Sequence, residues 1–256
     1  MEKTSLILET ALLAGTILME SNAEAYRTEE TMNFILQTAD YERYSSVALT
    51  TSVFAMVYDS GDKERETAME RIRTRGNNLH TIAEVNRISR EYTSGGCTVE
   101  EAHRDLLKLR NNAVNYPTWQ LQLSTIVIGT LFSPIFSGGW KETMGAFLTS
   151  IMVALTQLFI NHIKLESGLS LLLKAMVISL SAHLLTISIL PTMSPTIVIL
   201  STLMPLVPGI AIVTSLRDIF REDYLSGLAR GADALYQSLM IAVGTLIIYY
   251  IVGRVI

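Results

Sequence analysis

Residues 195–215 read PTIVILSTLMPLVPGIAIVTS, an uncharged run long enough to cross a membrane as a helix. Two internal prolines, Pro205 and Pro208, each remove a backbone donor and clash with the preceding helical turn. Together with Gly209 they predict a break near the middle of the span. Broken backbone at that depth is tolerated only where it is buried in protein or lines a cavity, and in transporters such breaks face the substrate or ions. The stretch therefore predicts a transport pathway, with a kink that serves only helix packing as the alternative.

Four further apolar segments of comparable length accompany this run, at residues 120–137, 144–161, 169–190 and 228–252. Trp119, Trp140, Tyr249 and Tyr250 fall at or near segment ends, where amphipathic rings favour the membrane interface. The chain is therefore predicted to be a polytopic α-helical membrane protein with about five transmembrane helices, one of them broken by proline and glycine.

Charged side chains are concentrated in the first half of the chain. Of 20 Lys and Arg and 24 Asp and Glu in 256 residues, thirteen and eighteen precede Trp119. This distribution excludes a single soluble globule and a disordered chain, and the net charge of −4 argues against a basic nucleic-acid-binding protein. We predict an N-terminal α+β cytoplasmic domain over residues 1–117 and a transmembrane domain over residues 118–256.

Apolar spacing within the first half predicts helices at residues 4–20, 23–39, 79–93 and 98–114. Asn22 suits a left-handed turn between the first two helices. Alternating β-branched and aromatic residues predict one largely buried strand over 44–58. After a turn at 59–62, residues 67–75 are expected to pair back as a hairpin.

Three arginines of that second strand, Arg71, Arg73 and Arg75, would share one face. They could meet an anionic substrate or the lipid surface. A solvated strand face is the plainer interpretation.

Basic residues in the short loops predict the orientation of the chain. Those on the side of the N-terminal domain are Lys164, Arg217, Arg221 and Arg230, and those on the opposite side are Lys141 and Arg254. Because cytoplasmic loops carry the excess of Lys and Arg, the N-terminus is predicted to be cytoplasmic.

Ionisable groups in or near membrane spans are costly and suggest a function. The candidates for gating or proton coupling are His183, Asp218, Asp223, Arg230 and Asp233. A histidine bonded to a neighbouring helix and an interfacial salt-bridge cluster are the alternatives, and Asp233 could simply pair with Arg230 at i+3.

The first helical turns of the N-terminal half contain a second group of candidate residues. This cytoplasmic motif comprises Glu20, Glu24, Tyr26, Arg27 and Glu30, with Glu29 beside them. The charged members could form a gating cluster, although exposed i,i+3 and i,i+4 pairs would look the same in the sequence.

Enzyme signatures are absent from the sequence: it has no HExxH, no phosphate-binding glycine loop and no GxSxG elbow. His80 and His103 are isolated, and Cys97 is the only cysteine. We therefore expect no enzyme activity, no metal and no cofactor.

Several separated motifs resemble those of the threonine/serine exporter (ThrE) family, and in particular its short, split form, the YjjP-like subunits. They cover nearly the whole chain: ESNAEAYRTEETM at 20–32, RGNNL at 75–79 with EVNRI at 84–88, YPTW at 116–119, GGW at 138–140, PLVPG at 205–209, and RD at 217–218 with DYLSGLAR at 223–230. Two departures are Asn22, where glycine is usual, and residues 50–53, which lack the usual proline and glycine. Asparagine tolerates the same turn.

This resemblance implies a multi-pass bacterial inner-membrane exporter of small polar metabolites, driven by the proton gradient. The cargo would be an amino acid such as threonine or serine, or a dicarboxylate such as succinate. The split form implies a second small polytopic membrane subunit, a homo-oligomer or both. The alternative is a membrane-anchored sensor or scaffold whose cytoplasmic domain binds a ligand or a protein.

Overall fold

The computed structural model describes residues 3–39, 41–58, 65–112, 116–163 and 165–255. Contacts divide the chain into two compact units. Unit 1 comprises residues 1–115 and 212–231, and unit 2 comprises residues 116–211 and 232–256. The predicted turn at 59–62 and Lys164 lie outside the described residues.

Four helices of unit 1 form where apolar spacing predicts them: α1 (Lys3–Glu20), α2 (Ala25–Leu36), α3 (Leu79–Thr93) and α4 (Val99–Asn111). Asn22, between α1 and α2, has a φ of 65°, which confirms the left-handed turn. Thr98 and Glu101 form a capping box that starts α4. Gly15 of α1 permits close packing against α2, because a Cβ there would lie 2.3 Å from Met32 Sδ.

A three-stranded antiparallel sheet completes the N-terminal part of unit 1: β1 (Arg43–Leu49), β2 (Ser52–Tyr58) and β3 (Arg65–Arg71), in the order β1-β2-β3. The prediction of one strand over 44–58 is wrong, since Leu49 pairs with Ser52 across a tight turn at Thr50 and Thr51. The alternation of apolar residues continues through this turn and conceals it. A strand of 15 residues would also exceed the usual length of 3–10 residues.

The third strand ends earlier than predicted. Ile72 is buried at 6% exposure, and its amide donates to Thr51 O at 2.9 Å. Arg73 and Arg75 follow in irregular backbone, so the prediction that they share a strand face with Arg71 is wrong.

The last part of unit 1 is a helical hairpin formed by the end of α9 (Gly209–Phe220) and the start of α10 (Tyr224–Val255). Asp223 N donates to Asp218 O at 3.0 Å, and Glu222 adopts a φ of 68°. This closure reverses the chain within three residues.

Unit 2 contains α5 (Thr118–Ile135), α6 (Trp140–Ile163), α7 (Ser167–Ser188), α8 (Pro195–Leu203) and the remaining part of α10. A 3₁₀ turn, Met204–Leu206, follows α8, and Val207 and Pro208 separate it from α9. The helical segments on the two sides of this break differ in direction by 58°. The break predicted within the apolar segment 195–215 is therefore present.

Within the described residues, three helices are long and apolar enough to cross a membrane: Trp140–Ile163, Ser167–Ser188 and Tyr224–Val252. The bent pair makes four if it is one span. The chain is thus a multi-pass membrane protein. Helix α5 occupies the first predicted segment, but Gln120 and Gln122 near its start lower its mean hydropathy, and it is not among these three helices. A fifth span stays a prediction.

Small residues allow the helices of unit 2 to approach closely. A Cβ on Gly145 would lie 2.3 Å from Met193 Sδ, and one on Gly129 would lie 2.4 Å from Ser150 Oγ. Helix α10 also approaches the backbone of α7 closely, since a Cβ on Gly244 would lie 2.5 Å from Leu172 O.

The substitution Gly244→Ala is expected to destabilise unit 2 by about 1–3 kcal/mol, because the new methyl group overlaps a backbone oxygen that cannot rotate away. Gly209→Ala is the matched control, since no atom lies within 4 Å of the position that its methyl group would take. Melting temperatures of the purified variants in detergent measure the effect. Equal melting temperatures for the two variants would contradict this packing.

Candidate functional site

A buried ion pair lies at the centre of the α9–α10 hairpin. Asp218 is 0% exposed and Arg230 is 2% exposed, and Arg230 Nε lies 3.1 Å from Asp218 Oδ2. Both residues are candidates from the sequence, and both lie in unit 1. Because buried charges are costly unless they are paired, each residue depends on the other.

The remaining donors of Arg230 bind the turn between α1 and α2. Its Nη1 donates to Asn22 Oδ1 at 2.8 Å, and its Nη2 donates to Ala23 O at 2.6 Å. The left-handed conformation of Asn22 belongs to the turn that presents these oxygens. Arg230 therefore joins the α9–α10 hairpin to the amino-terminal helices of the same unit.

The same turn also binds the segment that precedes α3. Asn22 Nδ2 donates to Asn77 Oδ1 at 2.7 Å, and Gly76 N donates to Glu20 O at 2.9 Å. Three motifs that are far apart in the sequence, 20–32, 75–79 and 217–230, thus meet around Asn22. Asn77 was not among the predicted site residues, although it lies in the RGNNL motif at 75–79.

Glu24, Tyr26 and Arg27 of the cytoplasmic motif form a second set of contacts beside this turn. Glu24, whose side chain is 11% exposed, pairs with Arg27 at 3.1 Å and with Arg217 of α9. Arg221 stacks on Tyr26, with its guanidinium carbon 4.7 Å from the ring centroid. The motif of the first half and the arginines of the second half therefore form one charged cluster.

The carboxylate of Asp218 is poorly satisfied for a buried group. Of the described residues, the backbone amide of Ala25 interacts with this carboxylate, and Arg230 Nε is not aligned to donate to it despite its proximity. A buried carboxylate in this state is one that a proton or a rearranged partner can satisfy. This arrangement is suited to a group that changes its protonation state.

Two further acidic residues interact in unit 1, Glu29 and Asp223. Glu29 Oε1 accepts from Ala48 N at 2.8 Å. Burial raises the pKa of Glu29, the Ala48 amide opposes this shift, and the charge of Asp223 raises the pKa further. Burial also raises the pKa of Asp223.

Other predicted residues lie outside these contacts. Asp233 is exposed, and the described partner of Arg230 is Asp218, at i−12, rather than Asp233 at i+3. Glu30 is exposed. Glu20 pairs with Arg110 at 3.0 Å.

His183 belongs to unit 2. Its Nδ1 lies 2.7 Å from Ser179 O of its own helix, and its ring contacts Tyr249 edge-on at 6.3 Å.

Unit 2 contains a cavity of about 660 Å³ at the helix break. Helices α7, α8 and α10 line it together with Val207 and Pro208. Its polar lining consists of hydroxyl groups, from Ser179, Thr196, Ser238, Thr245 and Tyr249, and none of the lining residues is charged. Of the predicted pathway residues, Pro208 lines this cavity, whereas Pro205 lies in the 3₁₀ turn and Gly209 begins α9.

No group of three or more His, Cys, Asp or Glu residues that could hold a metal ion occurs in the part of the chain that the structure describes.

The profile of a protein family described as putative threonine/serine exporter matches residues 9–252. A probable threonine/serine exporter of Mycobacterium tuberculosis is 25% identical over 197 residues, which cover 77% of this chain and 37% of that protein. Two proteins named probable succinate transporter subunit YjjP are similar over most of their length. The protein from Klebsiella aerogenes is 24% identical, and the match covers 89% of this chain and 86% of that protein. The protein from Escherichia coli is 23% identical, and the match covers 98% of this chain and 97% of that protein. No solved structure matches the chain.

The ion pair predicts a non-additive double-mutant cycle. Arg230→Met is expected to cost about 3–5 kcal/mol, because it leaves Asp218 buried without a partner. Asp218→Asn combined with Arg230→Met is expected to cost less than the sum of the two single changes. Melting temperatures in detergent measure the cycle, with Arg254→Met, at an exposed position, as the control. Additive losses would show that the pair is not coupled.

Glu29 predicts a specific pH dependence of stability. Since its pKa is raised on folding, the stability it contributes is fully present below the ordinary glutamate pKa of about 4.3 and is lost as the pH rises through the raised pKa. The melting temperature of the wild type minus that of Glu29→Gln should therefore increase as the pH is lowered from neutral. The same difference for Glu30→Gln, at an exposed position, should change less. Equal pH profiles for the two variants would contradict the burial of Glu29.

Proposed function

Because the chain belongs to the threonine/serine exporter family, we propose that it is one subunit of a secondary exporter that moves small polar metabolites out of the bacterial cytoplasm. Membership of this family makes it a transport protein rather than an enzyme. The proposed cargo is an amino acid such as threonine or serine, or a dicarboxylate such as succinate, and the proposed driving force is the proton gradient.

The observation that carries this proposal is the cavity of about 660 Å³ at the break in the fourth apolar segment. Irregular backbone at membrane depth is stable only in protein or beside a water-filled cavity. Pro208 lines the cavity, and α9 begins at the next residue, Gly209. The hydroxyl groups of the lining can donate hydrogen bonds to a carboxylate, which amino acids and dicarboxylates share.

A second subunit is part of the proposal because the cavity lacks charged lining residues. Hydroxyl groups alone compensate poorly for removing a dicarboxylate from water. The chain corresponds to 37% of the Mycobacterium tuberculosis relative but to 97% of the Escherichia coli protein, which is named a transporter subunit. We assign the missing polar groups to a second small polytopic membrane protein, to another copy of this chain or to both.

The buried pair of Asp218 and Arg230 is the proposed site of proton coupling, with Asp223 beside it. When Asp218 takes up a proton, Arg230 loses its anionic partner. The proposed consequence is a change in the hydrogen bond from Arg230 to Asn22. Helix α9 begins at the break and carries Asp218 near its other end. A change at Asp218 can therefore move the helix that starts beside Pro208.

The proposed topology places the N-terminus in the cytoplasm and α5 as a fifth span in the inner membrane. The loop between α9 and α10 then lies on the cytoplasmic side with Arg217 and Arg221, as the positive-inside rule favours.

Efflux from energised cells loaded with serine, threonine or succinate tests the function. We expect efflux that an uncoupler abolishes. Efflux that requires a second small membrane protein encoded beside the chain assigns the missing polar groups to that protein, and efflux from the chain alone assigns them to another copy of it. Pro208→Ala and Asp218→Asn should each lower efflux about tenfold, equivalent to about 1.4 kcal/mol. Glu166→Gln, at an exposed position before α7, is the matched control.

Membrane abundance must be equal for all variants, so that lost efflux reflects transport and not folding. Normal efflux in both variants would overturn the site assignment. Absence of efflux for every cargo, with both proteins inserted in the membrane, would favour the sensor or scaffold instead.

A further inference from the structure

A second cavity, of about 440 Å³, lies beside the edge strand β3 of unit 1. It is lined by Glu20, Glu70, Arg71, Arg73, Thr74 and Arg110. These side chains come from the end of α1, from β3 with the segment after it, and from α4. Nothing in the proposed transport pathway uses this cavity.

The acidic residues of the cavity share one cation. Arg110 Nη2 lies 3.0 Å from Glu20 Oε1 and 3.5 Å from Glu70 Oε1. Arg71 and Arg73 form no ion pair with any residue that the structure describes. Three arginines and two glutamates give the lining residues a net positive charge, and two of the arginines, Arg71 and Arg73, have no carboxylate partner among the described residues.

The backbone that carries these arginines is fixed at two points. Ile72 is buried in the core, and its amide donates to Thr51 O at 2.9 Å. Four residues later, Gly76 N donates to Glu20 O at 2.9 Å. The segment with Arg73 and Thr74 is therefore held between two anchors, which reduces the entropy that a ligand must overcome.

From this arrangement we infer that the cavity binds a small anion with several oxygen atoms, either a dicarboxylate or a phosphate group. Arginine suits this chemistry, because its planar guanidinium donates two parallel hydrogen bonds to carboxylate or phosphate oxygens. Arg71 and Arg73 supply these donors, and the Thr74 hydroxyl adds one. The volume is within the range of small-molecule sites. The phosphate belongs either to a free solute or to an anionic lipid headgroup.

Titration calorimetry of the purified full chain in detergent tests the site with three probes: succinate, inorganic phosphate, and dihexanoyl phosphatidylglycerol below its micelle concentration. At least one probe should bind the wild type. Arg73→Gln should weaken this binding about tenfold or more, and Arg71→Gln combined with Arg73→Gln should abolish it. Arg65→Gln, an exposed arginine at the opposite end of β3, is the matched control and should bind as the wild type does.

The outcomes separate this site from the transport pathway. Binding that Arg73→Gln weakens and Pro208→Ala preserves belongs to this cavity, and a response to the lipid probe alone identifies the headgroup as its source. Absence of binding for all three probes, or equal binding by the wild type and the double arginine variant, would overturn the inference. Arginine-dependent binding without any efflux would overturn the proposed function and leave the anion site in place.

Discussion

The attachment of the α9–α10 hairpin to the amino-terminal helices of unit 1 depends on the guanidinium of Arg230. It faces three groups at once: the Asp218 carboxylate, the Asn22 side chain and the Ala23 carbonyl. Removal of any one leaves a buried polar group without its partner, which costs more than the net value of the interaction itself. A short charged network therefore fixes the α9–α10 hairpin against the turn between α1 and α2.

The two units handle polarity in different ways. In unit 1, buried charges have charged partners: Asp218 lies beside Arg230, and the largely buried Glu24 pairs with the exposed Arg27 and Arg217. In unit 2, the cavity at the helix break offers hydroxyl groups, and close packing relies on glycine. The uncharged lining of the cavity in unit 2 is what a membrane-spanning helix bundle favours, because burying an ionised group in a membrane costs free energy. Hydroxyl groups can instead donate to the backbone of their own helix.

Apolar spacing was sufficient to predict the long helices, and residue type was sufficient for the left-handed turn at Asn22 and the proline break, since each of these follows from residues close together in the chain. The tight turn at Thr50 and Thr51 was not predicted, because neither glycine nor proline marks it in the sequence. The pairing of Arg230 with Asp218, rather than with Asp233, depends on the reversal at Glu222 and Asp223, which no local spacing encodes. The meeting of Asn22, Asn77 and Arg230 likewise depends on tertiary structure.

The pairing of Asp218 with Arg230 also restricts how this protein can evolve. A substitution at only one of the two positions leaves the other charge buried without its partner. A substitution of Arg230 also removes the hydrogen bond to Asn22. Neutral drift at one site is therefore blocked until the other has changed. Across descendants of this chain, positions 218 and 230 should be inherited or replaced together, whereas exposed charges such as Glu30 should vary independently.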